Sequence, residues 1–159
     1  MKKEVVASYA IKEENGIDIE IDVKNLSKDE FFRKEAIADI LAEVKKKPQA
    51  CVIVPSYRSN NNHLGQLINE LALTLQVKTL VTGNIQNLKR LRSASVKEVV
   101  LIKQSFRAGS ELAQQVATIK KMGSKVSIIC LISHSRARLE SFARENDVEI
   151  SALVYTDEL

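Results

Sequence analysis

The chain has 159 residues, 45% of them hydrophobic, which is enough for one domain built around a single core. Its formal charge of +4 and its pI near 9.1 indicate a basic surface that attracts phosphate groups, either on a nucleotide or along a nucleic acid. The N-terminal lysines precede no apolar run, and no segment stays uncharged long enough to cross a bilayer, so we expect a cytoplasmic protein without a membrane partner.

The first elements are a strand and a helix. Residues 17–23, IDIEIDV, alternate between apolar and acidic side chains, which predicts a half-exposed strand. From about Ser27, a serine cap and an acidic first turn precede apolar residues at helical spacing. The lysines at 45–47 then fall at the end of this helix, where positive charge is favourable.

Five short apolar runs follow, and their continuous apolar character is typical of strands that are covered on both faces. They are CVIV (51–54), TLV (79–81), EVVLI (98–102), VSIICLI (126–132) and SALV (151–154). Helical patterns separate most of them, at 64–75, 112–119 and 139–143. This alternation predicts an α/β fold with an open, mainly parallel sheet flanked by helices, in one domain over residues 1–159.

Cysteine and histidine spacing gives no indication of a metal site. Cys51 and Cys130 lie inside apolar runs, so we interpret both as core residues. His63 and His134 have no cysteine, histidine or carboxylate at ligand spacing. We therefore expect neither a metal nor a cofactor.

Ligands of an open parallel sheet bind beyond the carboxyl ends of its strands, which makes the loop after EVVLI informative. It reads KQSFRAGSEL, and Gly109 and Ser110 open a helix whose amides are suited to hold a phosphate. The alternative is a plain helix start, in which the same two residues only cap the helix.

This loop resembles that of the type I phosphoribosyltransferases, in which an apolar strand ends in two acidic residues and continues into a phosphate loop. Arg107, Ala108, Gly109 and Ser110 match the phosphate loop, in the Ala-Gly-Ser form of orotate phosphoribosyltransferases. Lys103 and Gln104 stand where the acidic pair should engage the ribose. The resemblance implies a phosphoribosyltransferase-like fold with an N-terminal strand-helix segment.

Other segments extend this resemblance over nearly the whole chain. The segment 9–26, YAIKEENGIDIEIDVKNL, is similar to the family's start, with Lys12 at the orotate-binding lysine and Asp22 at the family aspartate. The closing segment 139–159 resembles the family's last helix and terminal strand. For Lys12 the alternative is a solvated surface lysine.

Several functional positions depart from the family. The pyrophosphate loop should be rich in glycine, but here it contains Tyr57, Arg58, Ser59 and Asn60. Arg58 is a candidate phosphate contact or a surface charge. Ile19 and Glu20 replace the aromatic residues expected to stack on the pyrimidine, and a carboxylate there would repel orotate.

The catalytic hood of the family is also missing. It should lie between the strands TLV and EVVLI, where only residues 82–97 are present and its Arg-Lys-x-x-Lys motif is absent. A basic stretch at 89–97, containing Lys89, Arg90, Arg92 and Lys97, stands there instead, and we expect it at the mouth of the crevice.

These departures favour a non-catalytic or strongly impaired relative of orotate phosphoribosyltransferase that binds a phosphate-bearing small molecule or nucleotide and acts in regulation. The first alternative is an active, magnesium-dependent enzyme in which Glu98 or Glu111 has taken over at the ribose. The second is a module that binds nucleic acid through residues 89–97. The resemblance also implies a homodimer.

Overall fold

A computed structural model of the protein describes residues 3–12, 19–48, 50–55, 67, 70, 73, 79–82, 96–107 and 109–159. Its helices are α1 (Lys3–Ala7), α2 (Val23–Leu26), α3 (Glu30–Lys45), α4 (Ser110–Lys121) and α5 (Arg136–Glu145), and a 3₁₀ turn, Thr156–Glu158, ends the chain. Its strands are β1 (Ala10–Lys12), β2 (Ile19–Ile21), β3 (Cys51–Pro55), β4 (Thr79–Thr82), β5 (Glu98–Phe106), β6 (Lys125–Ser133) and β7 (Glu149–Tyr155).

The main sheet has five strands in the order β4-β3-β5-β6-β7, and every neighbouring pair is parallel. All the carboxyl ends therefore meet at one edge, which we call the carboxyl edge. The strands β1 and β2 form a separate antiparallel hairpin, in which Ile11 lies opposite Glu20. The predicted open parallel α/β architecture is confirmed.

Helices cover both faces of the sheet, because the strands present apolar side chains on each side. On one face, Val100 and Ile102 of β5 join a buried cluster with Phe32 and Ile40 of α3. On the other, Val99 and Leu101 share a cluster with residues of α4 and α5. Cys51 and Cys130 are both buried, as predicted, and burial raises the pKa of the Cys130 thiol to about 12.

The start of the chain differs from the sequence prediction. The strand β2 ends at Ile21, because the Asp22 side chain accepts a hydrogen bond from the amide of Asn25 and so begins α2 at Val23. Ser27 ends α2 and does not cap α3. Asp29 is the N-cap of α3 instead. Its side chain accepts a hydrogen bond from the amide of Phe32 at 2.9 Å and another from the hydroxyl of Tyr9 at 2.7 Å.

The strand β5 extends four residues beyond the run EVVLI, to Phe106. Lys103 and Gln104 are therefore strand residues, and the loop predicted after residue 102 shortens to the turn between Phe106 and Ser110. The other predicted strands and the helices α4 and α5 are present within a few residues of their expected bounds. Most of the helix expected at 64–75 lies outside the described residues.

The C-terminal segment closes against α5 and α1. Asp157 accepts the backbone amide of Arg136 at 3.2 Å, and Glu158 pairs with the Arg136 guanidinium and, at 3.4 Å, with Lys3. The guanidinium lies 3.8 Å from the centre of the Tyr155 ring. In the part of the chain described above, none of the helices has the length and apolar character required to span a membrane.

Candidate phosphate-binding site

The strand order identifies one place on the carboxyl edge where a crevice opens. The chain passes from β3 to β4 on one side and then returns to place β5 on the other side of β3. Connections leaving β3 and β5 therefore diverge, and ligands of open α/β sheets bind at such a switch point. The described residues that flank it are those following Phe106, at the end of β5.

The turn after β5 presents the amides of α4 without a side-chain cap. Gly109 is the N-cap residue, and Ser110 is the first residue of the helix. By contrast, side chains cap the other two long helices, Asp29 for α3 and Ser135 for α5. Of the two residues expected to cap the helix, Gly109 is therefore the N-cap and Ser110 is not, and no side chain caps the first-turn amides of α4.

Gly109 has a packing reason of its own. A Cβ atom at this position would lie 2.4 Å from Cδ2 of Phe142, a distance that Cβ atoms in proteins essentially never show. Phe142 also packs edge to face on Phe106, with ring centres 5.3 Å apart. The φ of Gly109 is −98°, so the backbone does not demand glycine. The close approach that requires Gly109 is thus to an aromatic ring of α5, whatever else the loop binds.

Arg107 bridges the turn to the hairpin. Its Nη2 donates to Oε1 of Glu20 at 3.0 Å, although the two residues are 87 positions apart in the chain. Glu20 therefore sits beside the candidate site as the sequence predicted, but as the partner of a cation. The sequence indicated repulsion of an anionic ligand and gave no sign of this ion pair.

Lys103 and Gln104 lie in the second half of β5, on opposite faces of the strand. Burial lowers the pKa of the Lys103 ammonium, and the charge of Glu111 in the first turn of α4 opposes that shift. Lys103 lies on the face covered by α4, opposite Cys130 of β6. Neither position offers a carboxylate to a ligand at the crevice.

His134 follows β6 directly and lies at the same edge of the sheet. Its backbone amide donates to the carbonyl of Phe106 at 3.1 Å, which ties the ends of β5 and β6 together. Burial lowers the pKa of its imidazole, the Arg107 charge lowers it further, and Glu20 raises it. The Glu20–Arg107 ion pair thus lies near enough to the His134 imidazole to influence its pKa. The sequence had located His134 only as a residue unsuited to metal binding.

A groove of about 760 Å³ continues from this turn between the first half of α4 and the whole length of α5. Phe106, Gly109 and Phe142 line it, with Ser110 and Arg107 near the turn. Arg138 and Ser141 contribute polar groups from α5. Its volume falls within the usual range for sites that hold small molecules.

Two sequence predictions are wrong in position. Glu98 begins β5 and lies 3.9 Å from Lys47, at the edge of the sheet opposite the crevice. It is about 17 Å along the strand from Lys103, so it cannot serve a ribose at the switch point. Lys97 lies at that same far edge, where its carbonyl accepts the amide of Lys125, and not at the mouth of the crevice.

Other predicted site positions lie outside the described residues. They are Tyr57, Arg58, Ser59 and Asn60 of the pyrophosphate loop, Ala108 of the phosphate loop, and residues 89–95 of the basic stretch. Lys12 belongs to β1, where it pairs with Ile19, but its side chain is not among the described groups.

Comparison with solved structures shows the same fold in an enzyme. The orotate phosphoribosyltransferase from Aeropyrum pernix superimposes with a TM-score of 0.63, over 99% of this chain and 96% of that chain, at 16% sequence identity. No protein-family profile matches the chain, and no curated protein matches its sequence. At this identity the likeness shows the fold alone. The predicted phosphoribosyltransferase-like fold is confirmed.

Proposed function

We propose that this chain is a phosphoribosyltransferase-like protein that binds a phosphate-bearing small molecule or nucleotide at the start of α4 and has lost transferase activity, wholly or in large part. The observation that carries the proposal is the end of β5. There the Arg107 cation and the uncapped amides of α4 stand at the switch point, while Lys103 and Gln104 precede them. A regulatory role follows from binding without turnover.

The loss of activity rests on the electrostatics of the reaction. Phosphoribosyl transfer develops positive charge at the ribose and releases a magnesium-bound pyrophosphate, so it requires carboxylates near the ribose and cations at the leaving group. Lys103 places a positive charge where the reaction requires a carboxylate near the ribose. Removing one well-placed electrostatic group commonly lowers the rate by a factor of roughly 100 to 1000. Glu111, in the first turn of α4, is the other carboxylate considered for an active enzyme, and its charge partly offsets the effect of burial on the pKa of Lys103.

The affinity for a phosphate should be modest, because the Arg107 cation at the turn already pairs with Glu20. Arg107 is also exposed, so dissolved salt screens its attraction for an anion. An anionic ligand must therefore compete with carboxylates of the protein and with ions in solution.

Isothermal titration calorimetry with uridine 5′-monophosphate and with phosphoribosyl pyrophosphate tests this proposal. We expect micromolar to millimolar binding that weakens with added salt and falls about tenfold in Arg107→Gln. Arg144→Gln, which removes an exposed arginine from the last turn of α5, is the matched control and should bind as the wild type does. Equal affinity in the two variants, or no binding to the wild type, would refute the phosphate site.

Substitution of Gly109 is not a suitable test of ligand binding, since any side chain there meets Phe142. Ser110→Ala is preferable, because it removes the hydroxyl and leaves both the helix and the amide in place. A drop of about twofold to fivefold in affinity is expected if the hydroxyl donates to the phosphate.

The proposal also covers the extent of the domain, the compartment, the assembly and the cofactor requirement. We propose one domain over residues 1–159, acting in the cytoplasm as a homodimer. No cofactor is required for binding, and magnesium enters only if transferase activity is retained. Binding of nucleic acid through residues 89–97 is the competing proposal, and Lys97 weakens it, since that residue lies on the edge of the sheet away from Arg107.

A further inference from the structure

The strand β7 has a neighbour on one side only. It ends the order of the main sheet, where β6 pairs with it in parallel, and no other described strand lies on its free side. A strand in this position presents unpaired amides and carbonyls that can pair with another chain. Its middle, residues 150–154 with the sequence ISALV, contains neither a charged residue nor a proline, two devices that natural proteins use to protect such an edge.

One amide on this free side is occupied by a side chain of the same strand. The amide of Ala152 donates to the hydroxyl of Tyr155 at 3.2 Å, three residues further along the chain. Neighbouring strands lie about 4.8 Å apart, which leaves no room for a phenol between β6 and β7. The Ala152 amide therefore points away from the sheet, and Oη of Tyr155 lies where the carbonyl oxygen of an added strand would lie.

Contacts outside β7 hold the Tyr155 ring in this position. The Arg136 guanidinium lies 3.8 Å from the centre of the ring, and Arg136 also pairs with Glu158. Asp157 accepts the backbone amide of Arg136 at 3.2 Å. The start of α5 and the end of the chain are thus joined around Tyr155, and its phenol is directed back along the edge of the sheet.

We propose that Tyr155 is an edge guard: its hydroxyl occupies the Ala152 amide and keeps β7 from pairing with β7 of a second copy of this chain. A second copy fits this edge because two identical strands can pair antiparallel about a two-fold axis and form a closed assembly. Residues 150–154 carry no charge, so such a pair brings no like charges together across its middle. Neither a bound ligand nor the homodimer proposed above is needed for this role.

Tyr155→Phe tests the guard, because it removes the hydroxyl and keeps the ring beneath Arg136. A neutral hydrogen bond changes an equilibrium by about fivefold. Sedimentation velocity over a series of protein concentrations should therefore show Tyr155→Phe associating beyond the wild-type state at an about fivefold lower concentration than the wild type does.

The double variant Tyr155→Phe/Ala152→Pro identifies the contact. Proline removes the amide donor, and an edge strand tolerates it where that amide faces away from the sheet. Ser151→Lys, at an exposed position, is the second choice if the proline variant does not fold, because it places like charges in the middle of the paired strands. Either substitution should return Tyr155→Phe to the association of the wild type. Association that stays raised in both would place the contact elsewhere and overturn the guard.

Tyr9→Phe is the matched control, since it removes a tyrosine hydroxyl that bonds to Asp29 and not to the edge of the sheet. Its association should equal that of the wild type. An equal rise in Tyr9→Phe and Tyr155→Phe would mean that lost stability, and not an open edge, drives association, and the proposal would fall.

Hydrogen exchange of the Ala152 amide reports on the contact itself. At concentrations too low for further association, Tyr155→Phe should speed this exchange about fivefold. At high concentration the exchange should slow, because a second copy then covers the amide. Faster exchange without any gain in self-association would show that the hydroxyl bond is only local, and would overturn the guard.

Discussion

Two explanations account for a glycine at position 109: close packing against Phe142, and close approach of a phosphate to the backbone. They predict different effects of substitution. The packing explanation predicts that Gly109→Ala destabilises the protein by about 1 to 3 kcal/mol, because the new Cβ overlaps the Phe142 ring. In a Phe142→Leu background, where a smaller and more flexible side chain can move aside, the same substitution should cost less than half as much. Chemical denaturation of the four proteins gives the coupling.

Gly123→Ala is the control for this cycle. Gly123 has a φ of 88°, and a Cβ added to it would meet no atom within 4 Å, so its substitution strains the backbone without a clash. It should cost about 1 kcal/mol in either background. Additive costs for Gly109→Ala and Phe142→Leu would contradict the packing explanation.

Lys103 predicts a stability that depends on pH. Its pKa is lowered in the folded protein from an ordinary value of 10.5, chiefly by burial, so the folded state binds its proton less tightly than the unfolded state does. The resulting penalty is complete below the folded pKa and disappears as the pH rises to 10.5. Lys103→Met should therefore stabilise the protein at pH 7 by about 1 kcal/mol.

Urea denaturation of Lys103→Met and the wild type at pH 7 and near pH 10.5 measures this difference. The gain should shrink at the higher pH, whereas the exposed Lys97→Met should change stability by less than about 0.5 kcal/mol at both. A Lys103→Met variant less stable than the wild type at pH 7 would mean that the interaction with Glu111 outweighs burial.

Among the elements, α3 gives a test of where a helix begins. Asp29→Ala should cost about 1 kcal/mol, because it removes the cap of the Phe32 amide. The pKa of Asp29 is lowered, first by that amide and then by the Tyr9 hydroxyl. Its contribution is thus present above the ordinary value of 3.8 and lost as the pH falls through the folded value.

Ser27→Ala separates this cap from the serine that the sequence favoured. Ser27 donates to the carbonyl of Lys24 and carries no charge, so its loss should leave the acid dependence of stability intact. Denaturation between pH 7 and pH 3 compares the two variants. Should Ser27→Ala remove the acid-sensitive part of the stability, the assignment of the cap to Asp29 is mistaken.

Elements made of long periodic or apolar runs could be predicted from the sequence, and their junctions could not. The strands β3 to β7 coincide with apolar runs of the sequence, and α4 and α5 coincide with segments of helical spacing. In these elements the local sequence pattern and the burial of the side chains agree. Asp22 and Asp29 cap two successive helices within eight residues, and Tyr9, distant in sequence, hydrogen-bonds to both aspartates. The periodicity of a sequence does not reveal contacts between residues that are distant along the chain.

The candidate site was predictable to the same extent. The turn at Gly109 and Ser110 is marked by its own residues, since it follows an apolar run and precedes a helical pattern. The partners Glu20 and Phe142 lie 87 and 33 positions from the residues that they contact, which a single sequence does not reveal. The position of His134 near the site could have been predicted, because it follows an apolar run that ends at the carboxyl edge.

For the whole molecule, we predict a homodimer. The resembling enzymes assemble across a two-fold axis, and symmetric self-association is the commonest form of soluble oligomer. Light scattering at micromolar concentration should give twice the mass of one chain, 17.8 kDa. A mass of one chain would contradict this prediction.

The central claim is that this fold keeps a phosphate site and has lost the chemistry. An assay of orotidine monophosphate formation from orotate and phosphoribosyl pyrophosphate, with magnesium, tests it most directly. Because the proposal assigns Lys103 and Gln104 to the positions of the family's ribose-binding acids, we predict no product above the rate without protein. A magnesium-dependent rate well above that background, abolished in Arg107→Gln, would contradict the account.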